Sequence, residues 1–309
     1  MTLHGSPRFT CTLLASLVAA ACAPAPRVAP AAPAPAATPA APAAPVASAE
    51  ALPFGVRVTG HGPAMILIPG LASSGDVWDT TVAHEQDRFT CHVIELPGFA
   101  GRPRIPAPML ATVRDALAGY IRAHHLDHPV IVGHSLGGFL ALDLARSYPD
   151  RVGKLVVIDA LPFTFAAWDP AATAESARKM AEGMRGWATS SSDADFEQQE
   201  RGMLAKMITD PAQQQVALGW VMRSDRTAFA DAFVEMMATD LRPQLGAITA
   251  PTLVVETWKS WGEREAVEQN YARQYAELRG ARLVVADTAK HFVMLDDPAF
   301  LFARMDAFL

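Results

Sequence analysis

A serine between two glycines, in the stretch Gly133-His134-Ser135-Leu136-Gly137, is the part of the sequence best suited to chemistry. The spacing fits the pattern G-x-S-x-G, in which a sharp strand-to-helix turn holds the serine Oγ exposed. The required context is present, because the apolar run PVIV precedes the turn and the helix-like segment GGFLALDLARSYP follows it. The glycines leave room for a bend that a Cβ would obstruct. We therefore predict that Ser135 is a nucleophile.

Short β-branched runs alternate with helix-like segments along the chain after residue 50. The runs are AMILIPG, CHVIELPG, PVIVGHS, KLVVIDA, PTLVVE and ARLVVAD. This alternation predicts an α/β fold with a mostly parallel central sheet and helices on both faces. Ligands of such sheets bind beyond the carboxyl ends of the strands. Ser135, directly after PVIVGH, is predicted to lie at that edge.

Residues 161–250 show no strand pattern, and their sequence predicts several helices. We interpret them as a helical cap inserted into a core formed by residues 51–160 and 251–309. Seven of the chain's twelve methionines lie in this segment, together with three tryptophans: Met180, Met184, Met203, Met207, Met222, Met236, Met237, Trp168, Trp187 and Trp220. These side chains either fill the packing between helices or line an apolar substrate pocket.

The first 50 residues differ in character from the rest. Arg8 precedes an apolar run, residues 13–21, that has the length of a signal-peptide core and is too short to span a bilayer. The segment ends in LVAAAC and resembles a bacterial lipoprotein signal. This resemblance implies a lipid on Cys22. Because Ala19 stands where such signals usually have Leu, secretion without a lipid and a misassigned start codon stay open as alternatives. Residues 23–50 form an Ala/Pro-rich linker. We expect residues 1–22 to direct export to the periplasm or envelope, with Cys22 as a membrane tether.

Composition excludes several classes of partner. The net charge is −6 and no long basic run is present, which argues against nucleic acid. The three cysteines form neither a disulfide framework nor a structural zinc spacing. We therefore predict no metal and no organic cofactor.

Four motifs, LIPGLASSGDVWD, VIELPGFAGRP, GHSLGG and KHFVMLDDPAFL, resemble the α/β-hydrolase superfamily over residues 54–309. The resemblance implies acyl transfer by a Ser-His-acid triad, with the histidine last in the chain. His291 is the expected base, because it follows the last predicted strand and precedes a C-terminal helix pattern. The resemblance also implies an oxyanion hole formed by the backbone N–H groups of Leu136 and Leu71.

The acid is where the sequence departs from the family pattern. Relatives usually have an aspartate shortly after the strand read here as PTLVVE, whereas this chain continues TWKSWGEREAVEQN. Asp159 lies at the end of KLVVIDA, where other hydrolases of the superfamily, haloalkane dehalogenases among them, keep their acid. We favour Asp159, with Glu263 and Glu265 as alternatives.

The leading interpretation is a serine hydrolase, specifically a carboxylesterase that cleaves small-molecule esters with small to medium apolar acyl groups. Lactonase, aminopeptidase, carbon–carbon hydrolase and cofactor-free haloperoxidase reactions stay open, because a triad alone does not separate them. A serine at the elbow argues against dehalogenase and epoxide hydrolase chemistry, which needs an aspartate there. A protein of another class, a non-catalytic envelope protein that binds ligands on a hydrolase fold, is the second interpretation.

Overall fold

The computed structural model of the protein describes residues 52–309. The predicted signal peptide, the Ala/Pro-rich linker and Cys22 lie outside the described residues. Within residues 52–309, no helix combines the length and apolar character needed to cross a membrane.

A seven-stranded sheet forms the centre of the described chain. Its strands are β1 Gly55–Gly60, β2 Ala64–Ile68, β3 Thr90–Glu95, β4 Val130–His134, β5 Lys154–Ile158, β6 Thr252–Glu256 and β7 Arg282–Val285. The strand order is β1-β3-β2-β4-β5-β6-β7, and only β1 runs antiparallel to its neighbour. The predicted α/β fold with a mostly parallel sheet is confirmed, and β1 is a strand that the sequence pattern did not reveal.

Helices cover both faces of the sheet. Those of the core are α1 Asp79–Glu85, α2 Met109–Ala123, α3 Leu136–Ser147, α8 Arg264–Gln274, α9 Val293–Asp296 and α10 Pro298–Phe308. Between β5 and β6 the chain forms α4 Ala174–Ser190, α5 Asp193–Met207, α6 Pro211–Met222 and α7 Arg226–Met237. These last four helices occupy the segment that we interpreted as a cap.

The central strands are buried on both sides. In β2, β4 and β6 every residue is buried. Alternate residues of β2 belong to two separate apolar clusters, with Ile66 and Ile68 in one and Met65 and Leu67 in the other. Because neighbouring side chains of a strand point to opposite faces, this burial explains why the strands read as continuous apolar runs.

The strand register places two functional candidates side by side. His134 pairs with Ile158 at the carboxyl ends of β4 and β5. The ladder continues one step further, since the Ser135 N–H donates to the Ile158 carbonyl at 2.9 Å and the Asp159 N–H donates to the Val255 carbonyl at 2.7 Å. Ser135 and Asp159 therefore follow adjacent strands at the same level of the sheet.

Close packing at the junction of β4 and α3 explains both glycines of the motif. A Cβ on Gly133 would collide with the carbonyl group of Gly137, and a Cβ on Gly137 would collide with the carbonyl oxygen of Ile68. Between them Ser135 has φ 53°, in the left-handed region that residues other than glycine rarely adopt. The tight turn therefore holds the serine in a strained conformation.

We predict that Gly137→Ala destabilises the fold by about 2 kcal/mol or more, because the new methyl group has no space to enter. The measurement is urea unfolding followed by circular dichroism. The control is Gly119→Ala in α2, where an added Cβ meets nothing within 4 Å. That variant is expected to be neutral or more stable by about 0.5–1 kcal/mol. Equal stability of the two variants would contradict the packing account.

Candidate active site

Asp159 is the most heavily hydrogen-bonded side chain of this edge of the sheet. Its Oδ2 accepts from His291 Nδ1 at 2.5 Å, from Thr257 Oγ1 at 2.7 Å and from Trp261 Nε1 at 2.8 Å. Its Oδ1 accepts from the Tyr271 hydroxyl at 2.6 Å and from the Thr257 N–H at 3.3 Å. The carboxylate has no solvent exposure, so these donors replace the water that burial removes.

The protonation of the Asp159–His291 pair follows from its surroundings. Burial opposes the charge on Asp159, but the charge of His291 and the hydrogen bonds from His291, Tyr271 and Trp261 outweigh burial and hold the pKa of Asp159 below its ordinary value. An ionised carboxylate can only accept hydrogen bonds, so His291 Nδ1 carries a proton. In the neutral ring this leaves Nε2 as the free base.

The backbone of His291 is also held on both sides. Its N–H donates to Ser260 Oγ at 3.0 Å. Its carbonyl oxygen lies 3.1 Å from His134 Nε2, and burial, with the His291 charge second, lowers the pKa of His134 well below its ordinary value. His134 is therefore neutral and donates from Nε2 to that carbonyl. The Trp261 ring meets the His291 ring edge-on with centroids 5.1 Å apart.

Ser135 lines the same cavity as His291 and Asp159. No hydrogen bond joins its hydroxyl to the His291 ring within the described chain, and such contacts are often long in proteins without bound substrate. The Gly70 turn passes close above the serine, since a Cβ on Gly70 would lie 3.3 Å from Ser135 Cβ. The site therefore combines a strained serine, an oriented imidazole and a backbone turn within one cavity.

The two expected oxyanion donors lie on different elements. Leu136 is the first residue of α3, so its N–H has no intrahelical acceptor. Leu71 follows Gly70 in the turn and lines the cavity. Neither N–H donates to another backbone group within residues 52–309. Both N–H groups therefore remain candidates for the oxyanion hole.

Glu263 and Glu265 are not joined to His291. Glu263 is the N-cap residue of α8, lines the cavity and is exposed. Glu265 lies in the first turn of α8, and its Oε1 accepts a hydrogen bond from Gln269. Of the three acids that the sequence offered, Asp159 is the one that the structure places against the histidine.

The cavity beneath α4 to α7 has a volume of about 640 Å³ and a mainly apolar lining. Four of the seven cap methionines and two of the three cap tryptophans line it: Met184, Met203, Met207, Met236, Trp168 and Trp187. The others do not, since Met237 and Trp220 are buried in packing and Met180 and Met222 are exposed. Six of these ten side chains therefore line the cavity, two fill the packing between helices, and the exposed Met180 and Met222 do neither.

Sequence reasoning missed the residues that support Asp159. Thr257 and Trp261 lie in the segment TWKSWG after β6, and Tyr271 lies on α8. These positions carried a usable signal, because the segment does not have the aspartate that the family resemblance led us to expect there. Donor side chains of this segment and of α8 point instead towards the carboxylate that follows the neighbouring strand β5.

Comparisons with known proteins identify the family of the fold. A sequence profile of the alpha/beta hydrolase fold family matches residues 63–298. The chain is 25% identical over 262 residues to the pimeloyl-[acyl-carrier protein] methyl ester esterase of Nitrosomonas europaea, covering 82% of this chain and 98% of that protein. It belongs to the α/β-hydrolase fold family.

Two solved structures illustrate the same fold in different enzymes. An esterase from Exiguobacterium antarcticum superposes with a TM-score of 0.70 at 17% identity, over 82% of this chain and 94% of that one. The enol-lactonase from Burkholderia xenovorans LB400 superposes with a TM-score of 0.68 at 18% identity, over 82% and 95%. At such identities the likeness establishes the fold alone.

We predict that Tyr271→Phe lowers kcat/KM for an ester substrate by about tenfold, because Asp159 loses a donor to its charge. The matched control is Tyr275→Phe, whose hydroxyl donates instead to the Ala160 carbonyl at 2.7 Å and whose ring is stacked with that of Tyr271. The control is expected to lose stability but keep its activity. Equal losses of activity in both variants would show that the Tyr271 hydroxyl acts only on folding.

Proposed function

We propose that the protein is a serine hydrolase, and specifically a carboxylesterase that acts on small to medium apolar acyl esters. The observation that carries the proposal is the 2.5 Å hydrogen bond between His291 and buried Asp159, beside a cavity that Ser135 also lines. Such an arrangement supplies what a serine nucleophile needs, since a serine hydroxyl is unreactive without a base that an acid orients.

In the proposed reaction His291 Nε2 takes the proton of Ser135 Oγ as the oxygen attacks the ester carbonyl carbon. Asp159 stabilises the imidazolium that forms and stays ionised. The N–H groups of Leu71 and Leu136 donate to the oxyanion of the tetrahedral intermediate. His291 then returns the proton to the departing alcohol, which leaves an acyl-enzyme on Ser135. A water molecule, activated by the same histidine, releases the acid.

The cavity supports the substrate class. A volume of about 640 Å³ lies within the range of small-molecule sites, and a mainly apolar lining suits an acyl chain better than a sugar or a phosphate. The relative from Nitrosomonas europaea is named as a methyl ester esterase, and its name supports ester hydrolysis as the reaction. The acyl-carrier-protein substrate in that name is not part of our proposal.

We predict that Ser135→Ala and His291→Ala each lower hydrolysis of a p-nitrophenyl acyl ester by about 10⁴-fold or more, and Asp159→Asn by about 10²-fold to 10⁴-fold. Glu263→Gln and Glu265→Gln serve as controls that remove an acid without touching His291, and turnover near the wild-type rate is expected. The measurement is steady-state release of p-nitrophenol, with circular dichroism to verify folding.

Two outcomes would reject this account. Retained activity in Ser135→Ala would show that Ser135 is not the nucleophile. Full activity of Asp159→Asn together with loss of activity in Glu263→Gln would show that Glu263, at the start of α8, is the acid. A folded wild-type protein that binds esters without hydrolysing them would favour the second interpretation, a ligand-binding protein on a hydrolase fold.

A further inference from the structure

Glu200 occupies an unusual place on α5. The inward stripe of this helix consists of Phe196, Met203, Leu204 and Met207, which recur at helical spacing. Glu200 falls on the same stripe, one turn after Phe196 and one turn before Leu204, and it lines the cavity. A carboxylate therefore stands where the packing pattern of the helix calls for an apolar residue.

Within the described chain Glu200 forms no hydrogen bond and no ion pair, and two arginines that could pair with it are engaged elsewhere. Arg185, the one arginine or lysine of the described residues that lines the cavity, is engaged by Asp231 through a 2.7 Å hydrogen bond. Arg201, next to Glu200 in the chain, lies on another face of α5 and donates to Glu197 and to Gln215. Residues 52–309 therefore offer Glu200 no counter-charge.

Burial raises the pKa of Glu200 to about 7, which places the group between its neutral and ionised forms near neutral pH. A desolvated carboxylate is stabilised in its charged form by a nearby cation. A ligand that brings a positive charge into this cavity would thus provide the missing partner.

The neighbouring walls favour the same kind of ligand. Aromatic side chains from several elements line the same cavity as Glu200: Trp168, Trp187, Phe229, Phe233 and Trp261. Trp187 and Phe229 both pack against Phe196, one turn before Glu200 on α5. Aromatic faces attract ammonium groups, and several rings around one site are a known way to bind quaternary ammonium ligands. An anionic ligand would instead meet Glu200 with like charge and find Arg185 already paired.

We propose that Glu200 and these aromatic side chains recognise a cationic nitrogen on the substrate. The substrate class is then an ester that carries an ammonium group at the end of an otherwise apolar acyl chain. This proposal rests on the proposed esterase function and specifies the substrate of the same site.

Two esters of equal shape test it. One is the p-nitrophenyl ester of trimethylammoniobutyrate, and the other is its carbon isostere, in which a tert-butyl group replaces the trimethylammonium group. For the wild-type protein, kcat/KM is expected to be about tenfold higher for the cationic ester, and Glu200→Gln should remove most of that preference. The ratio of the two kcat/KM values is the readout, because a general effect on catalysis leaves a ratio unchanged.

The matched control is Glu197→Gln, which removes the same charge from the same helix at a side chain that pairs with Arg201. It is expected to keep the wild-type preference. A ratio that is the same in wild type and in Glu200→Gln, or an equal loss in Glu197→Gln, would overturn the proposal.

A binding experiment separates this inference from the esterase proposal. Calorimetric titration with butyltrimethylammonium needs no turnover, and wild-type protein should bind it about tenfold more tightly than Glu200→Gln does. Binding of this probe without hydrolysis of either ester would retain the cation site and reject the esterase function. Hydrolysis of the neutral ester without binding of the probe would retain the esterase and reject the cation site.

Discussion

The arrangement of the site depends on one buried carboxylate. Asp159 has no exposed side-chain surface, and an ion in such a place is stable only when donors surround it. The donors come from His291, from the segment after β6 and from α8. These parts of the chain are far apart in sequence, and the need to satisfy one charge brings them to the same point.

Position on the sheet explains how the proposed acid comes to lie near the proposed nucleophile. Ser135 and Asp159 follow neighbouring parallel strands at the same level, so the ends of β4 and β5 hold both residues in fixed positions. His291 reaches the pair from the loop after β7, held through its backbone by Ser260 and His134. Rigid support of this kind is what orients a catalytic imidazole.

Much of the fold could be predicted from the sequence, because buried parallel strands leave continuous apolar runs and six of the seven strands have one. β1 was not predicted, because it lies at the edge of the sheet, with four of its six residues exposed and a glycine at each end. Ser135 and His291 were recognisable as candidates from local motifs. The partner of His291 could only be narrowed to Asp159, which was favoured, or Glu263 or Glu265, because Asp159 is 132 residues away in the chain and only the strand order brings it to the histidine. Glu200 was equally hidden, since its position on the inward stripe emerges only when the cap helices are seen against the core.

The most direct test of the central claim is peptide mass spectrometry after exposure of the protein to a fluorophosphonate, with heat-unfolded protein as the control. The reagent reports an activated serine and needs no knowledge of the substrate. We predict a single adduct on Ser135 in the folded protein and none after unfolding. A folded protein without an adduct on Ser135, or with the same labelling before and after unfolding, would contradict the claim that this turn and the Asp159–His291 pair activate the serine.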